Sequence, residues 1–193
     1  SKYFTDRLFQ NGAITEEEQE LYIYGFFMLL SQLMYLVLSC IFGLTLGCFF
    51  ESIIFYVAFM FIRRYAGGYH AATETRCEIL STLSIMACIV VIKLSKIYDF
   101  QNVLLIISTI SSLCIFLLCP LDTPEKQLSD KESKYFRKIS WIVLFVIVVA
   151  IIVSHYFKFQ FILLPCCMSL ILESILIVAG KIKRVYLEKS AKA

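Results

Sequence analysis

A chain of 193 residues that is 60% hydrophobic and 17% charged lies outside the range of soluble domains, which are about 45–50% apolar and about 25% charged. A mean hydropathy of +0.80, with only three prolines and seven glycines, excludes a water-soluble enzyme with long loops and fits one membrane-embedded domain over 1–193. The net charge of +3 says little by itself; the lipid bilayer is the first expected partner, and no nucleic-acid partner is expected.

Residues 1–20 come first and are polar. Tyr3, Phe4, Leu8 and Phe9 stand at helical spacing among Lys2, Asp6 and Arg7, which predicts a short amphipathic helix on the membrane surface. The plainer alternative is a frayed terminus. Asp6, Glu16, Glu17, Glu18 and Glu20 take the place of the basic flank of a signal peptide, so the apolar segments are expected to stay in the mature protein.

A spanning helix needs about 20 mainly apolar residues. Six stretches qualify, roughly 21–40, 41–62, 79–98, 103–119, 140–157 and 159–180. The first two read as a helical hairpin with a short hinge around Gly43 and Gly47. Hydrocarbon offers the backbone no hydrogen bonds, so helix is the expected conformation throughout. The fold class is therefore all-α: a polytopic membrane protein with about six transmembrane helices and the N-terminal surface helix.

Charge gives the orientation. With the N-terminus, the 63–78 loop, the 120–139 loop and the 181–193 tail on one side, that side holds fifteen of the eighteen Lys and Arg; Lys93, Lys96 and Lys158 fall on the other. The positive-inside rule then places both termini and both long loops in the cytoplasm of a multi-pass cell-membrane protein.

Most of the eight cysteines lie in or beside apolar runs, where Cys behaves as a small hydrophobe. They have neither disulfide-framework nor zinc spacing, and no metal or cofactor is expected. Cys77 differs, because its neighbours are polar. It lies next to the end of the stretch from Arg63 to Glu78, which also holds His70, one of only two histidines. A thiol beside an imidazole is the minimum for nucleophilic catalysis, since the thiolate attacks and the imidazole moves the proton. The plainer reading makes His70 a loop residue and Cys77 a helix-start residue.

Spacing constrains the pair. Seven residues along a straight helix rise about 10.5 Å, too far for a hydrogen bond of about 3 Å, so a working pair requires a bend. Gly67-Gly68 supplies one. Thr75 and Glu78 then fit a capping box that puts Cys77 in the first turn of the third helix, where the helix dipole favours a thiolate.

The run Arg63-Arg64-Tyr65-Ala66-Gly67-Gly68-Tyr69-His70-Ala71, followed by Cys77, resembles the core motif of the accessory gene regulator B (AgrB) family. Pro120-Leu121-Asp122-Thr123-Pro124-Glu125-Lys126 looks like that family's second signature, with Gln127 where a proline is expected. The resemblance covers nearly the whole chain. It implies a membrane cysteine endopeptidase of quorum sensing. Such an enzyme removes the C-terminal part of an AgrD-type precursor peptide through an acyl-enzyme thioester and promotes thiolactone closure to an autoinducing peptide. By matching positions it implies Cys77 as nucleophile, His70 as general base and acid, Arg63 and Gly68 as residues needed for activity, and a homodimer.

The orienting group for His70 stays open among Asp122, Glu74 and Glu78, with Asp122 preferred for its place in the second signature and a simple turn at Asp122-Thr123-Pro124 as the rival. The oxyanion donors are expected to be backbone N–H groups near Cys77. Arg63, Arg64, Gly67 and Gly68 are candidate substrate-binding residues: the arginines anchor the span and can also hold an acidic precursor tail. Glu51 and Glu173 inside apolar segments are expected to face inward, and Pro165 to kink the last helix. The competing functions are a peptide transporter using Glu51, Glu173 and Lys93 as a path, and a non-catalytic scaffold.

Overall fold

The computed structural model describes residues 15–69, 73–121 and 129–190. Among them are six helices and no β-strand: α1 (Glu16–Leu46), α2 (Phe49–Ala66), α3 (Glu74–Tyr98), α4 (Gln101–Leu118), α5 (Asp130–Tyr156) and α6 (Gln160–Ser190). All but α2 are long and apolar enough to cross a membrane. The exception is 18 residues long and carries Glu51, Arg63 and Arg64. The predicted surface helix over 2–14 lies outside the described residues.

The chain divides into two units within α1, at Leu38 and Ser39. The described part of the first unit is an apolar helix that exposes Leu21, Tyr24, Leu29 and Val37, side chains suited to lipid.

In the second unit the last helix is the core. The apolar window of α6 is 72% buried, against 22–28% for α3, α4 and α5, and α2, α3, α4 and α5 all pack on it. Leu163, Leu164, Cys167, Leu170, Glu173 and Ile177 of α6 are essentially inaccessible. Water drives none of this packing inside a bilayer, so close backbone approach and hydrogen bonds must hold the helices. Small polar side chains at the crossings meet that need. The Ser174 hydroxyl donates to Ser111 Oγ at 2.9 Å, Ser108 reaches Cys167 Sγ at 3.4 Å, and the Ser39 hydroxyl donates to the Ser52 carbonyl at 2.9 Å. Outward-facing Ile106, Ile110, Phe145, Val146 and Ile152 are exposed, as a lipid-facing surface requires.

Several boundaries differ from the sequence reading. The hairpin predicted around Gly43 and Gly47 turns at Gly47, which has φ +68, and not at Gly43; α1 runs through Gly43 and stops at Leu46. A Cβ at position 43 would come within 2.1 Å of Ser52 Oγ, so this glycine admits a neighbouring helix and does not bend the chain. Much of the 120–139 loop is helical, because α5 starts at Asp130. There Ser129 and Glu132 form a reciprocal capping box that extends the helix beyond its apolar run. The 181–193 tail continues α6 as far as Ser190. Pro165 sits inside α6 and is buried.

The C-terminal ends of α2 and α4 meet α6 along its second half, where Tyr69 reaches Leu176 and Leu121 lies against Gly180. The opposite end carries an ion pair between Lys96 Nζ and Glu51 Oε1 and a 3.2 Å hydrogen bond from Gln160 to Gln101.

Candidate active site

The site is built where α2 stops. Helix propagation ends at Ala66, and Gly67 caps it with φ +79 and ψ −151, its N–H donating to the Arg63 carbonyl at 3.3 Å. Gly68 follows at φ +131. Two consecutive positive-φ residues are accessible to glycine and strained for side chains. Space makes the same demand: a Cβ on Gly68 would fall 1.8 Å from Arg63 Nη1, and one on Gly67 would fall 2.6 Å from the Leu121 carbonyl oxygen. Residues 63–78 are therefore not one rod. The bend expected at Gly67-Gly68 is present, and helix resumes at Glu74.

Three attachments fix the turn. Leu121 N–H donates to the Ala66 carbonyl at 2.8 Å, forming an isolated parallel bridge with Gly67; this ties the second signature to the first. Tyr69 N–H donates to the Leu176 carbonyl of α6 at 2.9 Å. Gly180, one turn further along α6, leaves room for that approach, since a Cβ there would stand 2.9 Å from the Tyr69 nitrogen. Lys183 Nζ lies 5.5 Å above the Tyr69 ring, within cation–π range.

The third attachment is Arg63. Its Nη1 donates to the Gly67 carbonyl at 2.6 Å and its Nη2 to the Tyr69 carbonyl, so the planar fork spans the diglycine turn. Glu173 of α6 has its Oε1 4.0 Å from Nη1. The Arg63 side chain is 19% exposed and that of Glu173 is fully buried. Arg63 is thus engaged within the protein. Arg64 is exposed, with its guanidinium 5.9 Å from the Tyr65 ring centroid.

Cys77 stands in the first turn of α3, as the sequence predicted, but the cap is different. Thr73, extended at φ −132 and ψ 148, is the N-cap, and its hydroxyl accepts from Arg76 N–H. The predicted box on Thr75 and Glu78 is absent. The reason is register: with Thr73 as N-cap, Thr75 already has helical geometry. Cys77 N–H donates to the Thr73 carbonyl at 3.0 Å, which occupies it as the first intrahelical bond. The thiol is free and half-buried. Side chains on a helix lean toward its N-terminus, so the sulfur leans toward the open first turn.

Residues 1–177 of the chain match the family described as Accessory gene regulator B. The chain belongs to the accessory gene regulator B family. It is similar to a putative AgrB-like protein of Clostridium perfringens strain SM101, with 26% identity over 166 residues that cover 80% of this chain and 77% of that protein. The same figures hold for putative AgrB-like protein 2 of Clostridium perfringens strain 13. Accessory gene regulator protein B of Staphylococcus intermedius is 30% identical over 110 residues, 56% of each chain. No solved structure matches.

In this AgrB-family chain the structure brings Arg63, Gly67 and Gly68 into one turn and sets Cys77 at the start of the next helix. His70 and Asp122 lie outside the described residues, as does the side chain of Glu74; Glu78 is exposed on α3. Sequence reasoning missed two contributors, Glu173 as the carboxylate at Arg63 and Gly180 as the seat for Tyr69. A buried carboxylate in an apolar helix was the available signal for Glu173; its partner was not legible. Glu51 belongs to the opposite end, paired with Lys96.

Proposed function

We propose that this chain is a membrane cysteine endopeptidase of quorum sensing. It cleaves the C-terminal part from an AgrD-type precursor peptide, with Cys77 as nucleophile and His70 as general base and acid. Family membership supports a role in processing a quorum-sensing peptide. The observation that carries the finer reading is the break between α2 and α3: it anchors the chain through Tyr69, the residue before His70, and restarts helix with a half-buried thiol in the first turn. Thr73 follows Tyr69 by four residue steps, a reach of at most about 14 Å.

The reaction follows from those groups. His70 takes the Cys77 proton, and the thiolate attacks the scissile carbonyl. The first-turn N–H groups of Glu74 and Thr75, which have no acceptor within α3, stabilise the oxyanion. His70 returns the proton to the leaving amine, the C–N bond breaks, and the C-terminal fragment leaves an acyl thioester on Cys77. A thiol of the peptide then attacks that thioester and closes the thiolactone, releasing Cys77. One thioester replaces another, so the acyl group keeps its activation, provided water is excluded. Asp122 orients His70, and exposed Arg64 receives acidic groups of the precursor. The loops and both termini face the cytoplasm, and the protein works as a homodimer.

Mass spectrometry of the purified protein with precursor tests this. The expected product is an acyl adduct on Cys77, lost in Cys77→Ala. An adduct on another cysteine, or cleavage that survives Cys77→Ala, overturns the reading.

A further inference from the structure

Helix α5 begins well before its apolar run. Lys131 stands nine residues ahead of Ser140, where the expected span starts, a rise of about 13 Å at 1.5 Å per residue. The headgroup layer adds only about 5–8 Å on each side of the hydrocarbon. Exposed Trp141 marks the interfacial level, where such rings collect. The first turns of α5 therefore stand clear of lipid. Side chains on a helix lean toward its N-terminus, which here is away from the bilayer.

This projecting stub has a face of one sign. Lys131, Lys134 and Lys138 recur at i, i+3 and i+7; all three are exposed, and none forms an ion pair with a described residue. Asp130 and Glu132 stand to either side of that face, and Glu132 is turned to Ser129. Like charges at this spacing destabilise a helix. The positive-inside rule asks only that cations lie near the membrane, not that they align. An anion laid along the face would offset the repulsion.

The other side of the stub holds it to the candidate site. Phe136 packs against Tyr65 of α2, with ring centroids 6.1 Å apart. The lysine face is turned away from that contact by one helix diameter, about 10 Å. Exposed Arg137 occupies the flank between them.

We propose that the lysine face of α5 docks an acidic segment of the precursor peptide. The inference rests on the reading of the chain as a precursor-cleaving peptidase. Headgroups do not reach Lys131, which favours a peptide over a membrane as the countercharge. An extended chain covers at most about 3.5 Å per residue, so the acidic segment lies at least about three residues from the bond that is cut.

The full chain in phosphatidylcholine nanodiscs gives two readouts. Fluorescence anisotropy reads binding of a fluorescein-labelled deca-glutamate peptide, and a cleavage assay reads kinetics on the AgrD-type precursor. Replacing the three lysines together, Lys131→Gln, Lys134→Gln and Lys138→Gln, is expected to weaken deca-glutamate binding by at least about 10-fold. It should raise the precursor KM by a similar factor and leave kcat within about twofold. Added salt should narrow both differences. Changing the same three positions to Glu should make the protein bind deca-lysine in place of deca-glutamate, a reversal that a structural role does not produce. Cys77→Ala should bind deca-glutamate as the wild type does. Failure of the peptidase reading would thus appear as cleavage independent of Cys77, separately from the binding result. Wild-type binding and KM in the triple Gln variant would overturn the inference. So would loss of deca-glutamate binding when phosphatidylglycerol is added to the discs, which would assign the lysines to the membrane.

Discussion

The Tyr69 N–H and the Leu176 carbonyl meet at 2.9 Å, joining the turn after α2 to the middle of the last helix. That bond seats the Gly68-Tyr69 turn against the last helix. It needs Gly180, because a side chain at that position would stand where the loop backbone runs.

Gly180→Val should therefore separate the turn from α6. Overpacking of this kind costs about 1–3 kcal/mol, so the protein should still insert with a lowered melting temperature. Precursor cleavage should fall much further than stability does. Thermal shift and cleavage assays on one preparation check this; unchanged cleavage would show that the Tyr69–Leu176 bond is dispensable.

Gly68→Ala meets two obstacles at once, a φ of +131 and a Cβ placed 1.8 Å from Arg63 Nη1. Strain of about 1–3 kcal/mol together with loss of the guanidinium brace should reduce cleavage by at least about 100-fold. Circular dichroism should show helix content unchanged, since the substitution lies outside every helix.

Among the cysteines, Cys77→Ala should abolish cleavage with normal membrane levels, and His70→Ala should do the same. Cys88→Ala and Cys166→Ala should leave catalysis intact. Both of these thiols are buried within helices and behave as apolar packing, so their loss should appear only as a modest drop in stability. Immunoblotting of membranes beside a precursor-cleavage assay separates the two effects.

Arg64 is exposed where Arg63 is committed to the turn. If Arg64 receives acidic groups of the precursor, Arg64→Gln should raise KM by about 3–10-fold and leave kcat unchanged, the pattern of lost uniform binding. The effect should shrink as salt is raised, because exposed charges are screened. A fall in kcat at constant KM would assign Arg64 to the chemistry instead.

At the far end of the bundle, Lys96→Ala strands the buried Glu51 carboxylate. The Lys96 side chain is one-third exposed, so solvent moderates the loss to about 1–2 kcal/mol, below the 3–5 kcal/mol of a fully buried pair. Melting temperature should fall while cleavage per folded molecule holds. Loss of peptide movement in vesicles with cleavage intact would favour the transporter reading.

Much of this molecule was legible as text. Six helical stretches follow from hydropathy, because a backbone in hydrocarbon must satisfy its own hydrogen bonds within the segment. The bend followed from Gly67-Gly68, and Cys77 stood out through its polar neighbours. These are local properties, and the sequence carries them whatever the rest of the chain does. Where neighbours compete, the text was less decisive: Thr73 and Thr75 both offer a hydroxyl for the cap, and the backbone at Thr73 decides between them. The Ser129–Glu132 box was present in the letters and went unread. The pairings of Arg63 with Glu173, Glu51 with Lys96 and Tyr69 with Leu176 had no local signal. Each depends on which faces of distant helices come together and at what height. Hydrophobic residues that all suit lipid equally well do not encode that register; the small residues at the crossings and the packing of the whole bundle set it.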